Sequence, residues 1–103
     1  DYPPKPPTDN KTDTGLQVLA SPNPVSDTQK VVFKAIGPTE GVEKLRTTVF
    51  NANGSAVWEK QAPGTTLSWN TKGAANGIYL YRSAAKVDGQ WNKLGVAKLL
   101  VLK

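Results

Sequence analysis

The chain has 103 residues, a length that suits one domain with one core, and its 38% hydrophobic and 20% charged content is that of a folded protein, not a disordered one. It has no cysteine, histidine or methionine, which excludes thiol chemistry, imidazole acid–base catalysis and the usual zinc ligands, and leaves packing alone to hold the fold. Thirteen basic against eight acidic side chains give a net charge of +5, but the basic residues are spread singly, without the stripe or module that nucleic-acid binding requires.

Residues 1–14 hold four of the eight prolines and almost nothing apolar. Tyr2, Pro3, Pro4, Pro6 and Pro7 favour an extended polyproline II path, so this segment reads as a linker or as a docking arm laid on a neighbour. The first residue is Asp1, which suits a processed protein or an excised piece of a longer one. No apolar run is long enough to cross a bilayer as a helix, so no membrane insertion is expected. Two sequons, Asn10-Lys11-Thr12 and Asn53-Gly54-Ser55, are candidate glycosylation sites of an exported protein. An exported domain without cysteine also leans toward a prokaryotic source.

From Gly15 to residue 103 short apolar runs alternate with turn signals, which predicts an all-β domain of seven strands. The first spans 16–20 and stops at Ser21-Pro22-Asn23-Pro24, where two prolines forbid regular ladder bonding. The second spans 29–36, with Val31 and Phe33 on one face and Lys30 and Lys34 on the other. After the turn at residues 37–41, a third strand over 44–51 alternates Leu45, Thr47 and Val49 against Arg46, Thr48 and Phe50. Asn53-Gly54 is a strong hairpin signal, because both residues tolerate positive φ. A fourth strand, 56–60, follows.

Pro63-Gly64 turns the chain into 65–70, where Trp69 is a natural core filler between sheets. A loop over 72–77 leads to the two longest strands, 78–87 and 91–103, joined by a hairpin at Asp88-Gly89-Gln90. Neither contains proline, which suits central positions in a sheet. Tyr79 and Tyr81 share a face opposite Ile78 and Leu80. No stretch of ten residues has helical periodicity. The pattern predicts an open antiparallel β-sandwich of immunoglobulin-like type carrying an extended proline-rich N-terminal arm.

No catalytic constellation emerges. Ser83 with Lys86, and Ser68 with Lys72, are close only in sequence and read as surface strand residues. Asp27, Glu40, Glu43, Glu59 and Asp88 read as solvated charges. The spacing of Asp9, Asn10 and Asp13 matches no calcium loop. No enzyme activity, metal or cofactor is expected. A sandwich can present aromatics to a polysaccharide, with Trp58, Trp91, Tyr79 and Tyr81 as candidates, though packing explains the same residues. An exposed sheet edge, or strand exchange through residues 14–20, would let neighbouring copies assemble.

Ser21-Pro22-Asn23-Pro24, the Leu45 to Gly54 strand and turn, Val57, Trp69, Asn76-Gly77-Ile78-Tyr79-Leu80-Tyr81 and the closing Lys98-Leu99-Leu100-Val101-Leu102-Lys103 together resemble the immunoglobulin-like C-terminal domains of bacterial exported proteins. That group includes the FlgD-like domain and the type IX secretion C-terminal sorting domains. The resemblance spans about residues 18–103 and implies a domain at the end of secreted enzymes, adhesins and surface-layer proteins, with no catalytic residues of its own. The expected function is a non-catalytic extracellular or cell-surface attachment or assembly module whose partner is a protein or neighbouring copies. Its expected contacts are the arm, Trp58 and Trp91, and the alternatives are a carbohydrate-binding module and a sorting domain.

Overall fold

The computed structural model describes residues 15–26 and 30–102; the arm, with Tyr2, Pro3, Pro4, Pro6, Pro7 and Asn10, lies outside them. Seven strands are present: β1 (Gln17–Ser21), β2 (Lys30–Ile36), β3 (Val42–Phe50), β4 (Ala56–Pro63), β5 (Thr66–Asn70), β6 (Gly77–Val87) and β7 (Gln90–Val101). They form a three-stranded sheet in the order β1-β2-β5 and a four-stranded sheet in the order β4-β3-β6-β7, every pairing antiparallel. The inner strands bury alternate side chains, as the period of two requires: Val31, Phe33 and Ala35 on β2, Leu45, Thr47 and Val49 on β3, Tyr79, Tyr81, Ser83 and Ala85 on β6.

Aromatic rings join the two sheets. Phe33 lies 5.0 Å from Tyr81 and 5.8 Å from Trp58 between ring centroids, Trp58 continues to Trp69 at 5.7 Å, and Trp69 meets Tyr79 edge-on at 5.8 Å. Phe33 and Trp69 come from the three-stranded sheet and the other three from the four-stranded one, so the run crosses the interface rather than lining one wall. Each such pair is worth about 0.5–1.5 kcal/mol beyond the area it buries. Both tyrosine hydroxyls find backbone acceptors. The Tyr79 hydroxyl donates to Ala75 O at 2.7 Å, four residues upstream, which pins the β5–β6 loop to the start of β6 as a tyrosine corner. The Tyr81 hydroxyl crosses the sandwich to donate to Val18 O of β1 at 3.1 Å.

Several expectations are corrected. Strand β7 is an edge, not a central strand, since among the described residues β6 is its one partner in the sheet and a strand without proline is not thereby central. The β6–β7 turn is the two-residue Asp88-Gly89, with φ of 54° and 77°, the mirror-image turn whose twist matches the paired strands. At the β3–β4 hairpin only Gly54 has positive φ. There the Asn51 side chain accepts from the Asn53 and Ser55 backbone N–H groups, both at 3.0 Å, and makes a wider loop than the Asn-Gly pair alone predicts. The fourth strand runs on to Pro63, which an edge strand tolerates. Ser83 is not a surface residue: it is 3% exposed, and its hydroxyl is 2.9 Å from that of Thr47, its register partner on β3, so two buried polar groups satisfy each other.

Truncating Phe33 to alanine removes the ring that meets both Tyr81 and Trp58, and should cost about 3–5 kcal/mol in urea unfolding. Burial raises the Tyr81 hydroxyl above its ordinary value of 10.0, against a smaller opposing effect of a backbone hydrogen bond with Ala20. The folded chain then holds that proton to higher pH than the unfolded chain. The associated stability is complete below about pH 10 and is lost as pH rises through the higher folded-state value. Tyr81→Phe should be less stable than the parent by about 1 kcal/mol at pH 8, the hydrogen bond lost, and the gap should narrow at pH 11.

Candidate functional site

The sandwich has two poles. At the proximal pole the described chain begins at Gly15, tucked against Gly37, where a Cβ would stand 2.5 Å from the Gly15 carbonyl oxygen, and the Asp88-Gly89 turn lies at the same end. At the distal pole β1 ends, the β3–β4 and β5–β6 loops turn, and β7 leaves the sheet.

Strand β7 departs from the pattern of an open edge. Beyond β1 the Ser21-Pro22-Asn23-Pro24 segment crosses from the three-stranded sheet to the outer edge of β7, with both Xaa–Pro bonds cis. The Asn23 side chain then behaves as a peptide group. Its Nδ2 donates to the Lys98 carbonyl at 3.0 Å, and its Oδ1 accepts from the Leu100 N–H at 3.1 Å. Val25 continues the pairing with its own backbone: its N–H donates to Leu100 O and its carbonyl accepts from Leu102 N–H, each at 2.8 Å, in a parallel bridge opposite Val101. Val25 is itself fully buried. The prolines leave their own positions without a donor, so the asparagine amide between them supplies what the main chain there cannot. Upstream, the edge is broken by a bulge near Gly95 and carries the exposed Lys93, both of which discourage pairing with another chain.

Beside this clamp a groove of about 510 Å³ opens between the β3–β4 hairpin and the β5–β6 loop. Its lining is rich in asparagine, with Asn51, Asn53, Asn70 and Asn76, and its apolar wall includes Val57 and Ile78, which are 45% and 52% exposed. Two of those amides are already committed to shaping the loops: Asn51 as described, and Asn70, whose Oδ1 accepts from Lys72 N–H at 2.9 Å. The groove is thus bounded by segments with their own side-chain-to-backbone hydrogen bonds, with Val57 and Ile78 exposed at its rim.

The candidate tryptophans do not share a surface. Trp58 points inward from β4, half-buried between Phe33 and Trp69. Trp91 sits on the outer face of the four-stranded sheet, with the Arg46 guanidinium 4.3 Å from its ring centroid. Tyr79 and Tyr81 are in the core. Asn53 is exposed in the hairpin loop. Strand β1 pairs with β2 of its own chain. The clamp escaped sequence reading because its two halves are 75 residues apart, although an asparagine isolated between prolines was a visible hint. Among the described residues no cluster of three acidic side chains could hold a metal ion.

The model of a family described as the secretion system C-terminal sorting domain matches residues 20–97. A search of curated proteins gives no match. Among solved structures the chain is similar to the fibronectin type III domain of the human collagen alpha-1(XX) chain, with 14% identity over 96% of this chain and 92% of that one and a TM-score of 0.61. It is also similar to part of a polysaccharide deacetylase from Bacillus cereus, with 12% identity and a TM-score of 0.66 over 82% of this chain, which spans only 30% of that one. At such identities the likeness is one of fold.

Replacing Asn23 by alanine leaves the Lys98 carbonyl and the Leu100 N–H to water. Because both lie at the surface, the expected loss is about 1–2 kcal/mol in urea unfolding. Hydrogen exchange at the Leu100 amide should accelerate in that variant before the amides of β3 change, whereas uniform acceleration would show that the clamp is not local.

Proposed function

The chain belongs to the family of secretion system C-terminal sorting domains, and from that premise we propose that it is a non-catalytic sorting module of a secreted or surface protein, read at the distal pole. The family match along residues 20–97 carries this reading. On the sequence alone, attachment or assembly stood first and sorting last; family membership reverses that order.

The geometry supports the choice of pole. A cargo preceding the domain would enter the described fold at Gly15, at the proximal pole. The twelve-residue β7 separates that end from the distal groove by roughly 35–40 Å of strand. The groove and the clamped end of β7 thus lie at the pole away from the point where a preceding cargo enters. An apolar pair at a rim of fixed asparagine loops is a surface suited to a protein receptor, since half-exposed aliphatic side chains contribute little to the fold and much to a contact that dries them. The Asn51 and Asn70 side chains already hydrogen-bond the backbone of these turns, which lowers the cost of ordering them on binding.

A fluorescent protein followed by residues 1–103, given a signal peptide, should reach the medium or the cell surface of a bacterium that has a type IX secretion system. The paired substitution Val57→Glu and Ile78→Glu, at exposed positions where the fold is indifferent, should hold the reporter in the periplasm. Retention of the unsubstituted fusion would overturn the sorting role, and export of the doubly substituted one would move the recognised surface elsewhere.

A further inference from the structure

The basic residues look scattered along the sequence, but the register of the four-stranded sheet gathers six of them on one face. Leu45, Thr47 and Val49 point into the core, so Lys44 and Arg46 point out. By the same alternation Arg82 and Lys86 face outward from β6, and Lys93 and Lys98 from β7. The pairings place them in successive rows. Lys44 stands beside Lys86, Arg46 beside Ala84 and Lys93, Thr48 beside Arg82 and Val96, and Phe50 beside Leu80 and Lys98. Rows two residues apart are separated by about 6.6 Å, so the charges form a band some 20 Å long, running with the strands. The acidic side chain on that face is Glu59, at the β4 margin, whose carboxylate accepts from the Thr48 hydroxyl at 3.2 Å. Among the described residues none of the six cations is ion-paired.

Two of the cations are held in place. The Arg46 guanidinium lies over Trp91 at 4.3 Å and that of Arg82 over Phe50 at 5.0 Å, both within cation–π range. Between them is a shallow depression of about 390 Å³, lined by Arg46, Arg82, Lys93, Thr48 and Glu59. A guanidinium resting on a ring keeps its N–H fork free and has lost much of its rotamer freedom already, which favours bidentate contact with a carboxylate, phosphate or sulfate group.

We propose that this face binds a linear acidic polysaccharide through the row of Lys44, Lys86, Arg46, Lys93, Arg82 and Lys98, with the Arg46–Arg82–Lys93 depression as its strongest subsite. The choice of ligand follows from what the face offers. Charges set in a line match a chain with repeating charges better than a single anion. The face lacks a deep apolar pocket for a protein anchor. Bases of a nucleic acid have no ring to stack on, because the faces of Trp91 and Phe50 are occupied by arginines. For the same reason a neutral glycan has no aromatic platform, and the recognition is ionic. The exported setting, in which a surface glycan is the abundant polyanion, rests on the sorting reading; the binding itself does not.

The full chain should bind heparin and polygalacturonate, but not neutral dextran, in calorimetric titrations at 0.15 M salt. Arg46→Gln, Arg82→Gln and Lys93→Gln combined should weaken binding about tenfold or more and flatten its salt dependence by about three counterions. A control of equal charge, Lys34→Gln, Lys60→Gln and Lys72→Gln, should change affinity less than about twofold, since long-range charge is screened at this ionic strength. Arg46→Lys, which keeps the charge and loses the stacked fork, should fall between them and guards against a folding defect in the triple variant. Equal losses in both triple variants would reduce the effect to net charge. Binding of polyglutamate or single-stranded DNA as tight as that of heparin would assign the face to a protein or a nucleic acid instead, and absence of binding would overturn the proposal. None of these outcomes depends on export, so failure here and failure of the sorting reading are distinguishable.

Discussion

Two sheets without a disulfide between them must be held by what lies between them, and in this chain that is the run of aromatic rings from Tyr81 through Phe33, Trp58 and Trp69 to Tyr79. With no cysteine available, the interface relies on rings that bury large apolar surfaces and still carry polar ends to specific acceptors. The two tyrosines make the arrangement directional: one hydroxyl ties β6 to its preceding loop, and the other ties it to the opposite sheet at Val18. The first half of β6 is therefore tied both to the loop before it and to the opposite sheet. Because β6 pairs with both β3 and β7, the positions of all outward side chains on three strands follow from it.

The second constraint is the treatment of edges. A seven-stranded open sandwich leaves strand edges that invite pairing with other chains, and β7, the longest strand, would be the most exposed of them. The proline-flanked Asn23 and the Val25 bridge occupy its distal half, and the bulge with Lys93 interrupts the proximal half. The same segment links the two sheets, since it leaves β1 of one and ends on β7 of the other. A side chain standing in for a peptide group thus closes an edge without adding a strand.

Function is carried on what this framework leaves outside. The distal groove is walled by segments that the Asn51 and Asn70 side chains shape through backbone hydrogen bonds, with Val57 and Ile78 exposed at its rim, and it is the surface we propose for sorting. The outer face of the four-stranded sheet offers different chemistry, aligned cations beside aromatic rings, and by the alternation of β6 it continues from the Leu80–Lys98 row to Ile78 at the rim of the groove.

Much of this was legible in the residues. Alternation such as Leu45, Thr47 and Val49 against Arg46, Thr48 and Phe50 is a local signal of a half-buried strand, and prolines and glycines mark where strands must stop, so the seven strands, the core position of Trp69 and the immunoglobulin-like class followed without a structure. Positions that depend on partners far along the chain did not follow. Ser83 looks like a surface serine until Thr47 is set opposite it, Trp58 and Trp91 look alike until one is seen to enter the core, and β7 looks central until its neighbour proves to be an asparagine 75 residues away. Lysines and arginines that are single in sequence become one band because pairing register decides which residues are neighbours across a sheet. The sequence by itself determined which residues prefer to be inside and where the chain turns, since both depend on side-chain chemistry over a few residues. Only the tertiary structure decided which strands lie side by side, and with that the clamp, the groove and the charged face, because those are relations between segments that no local pattern contains.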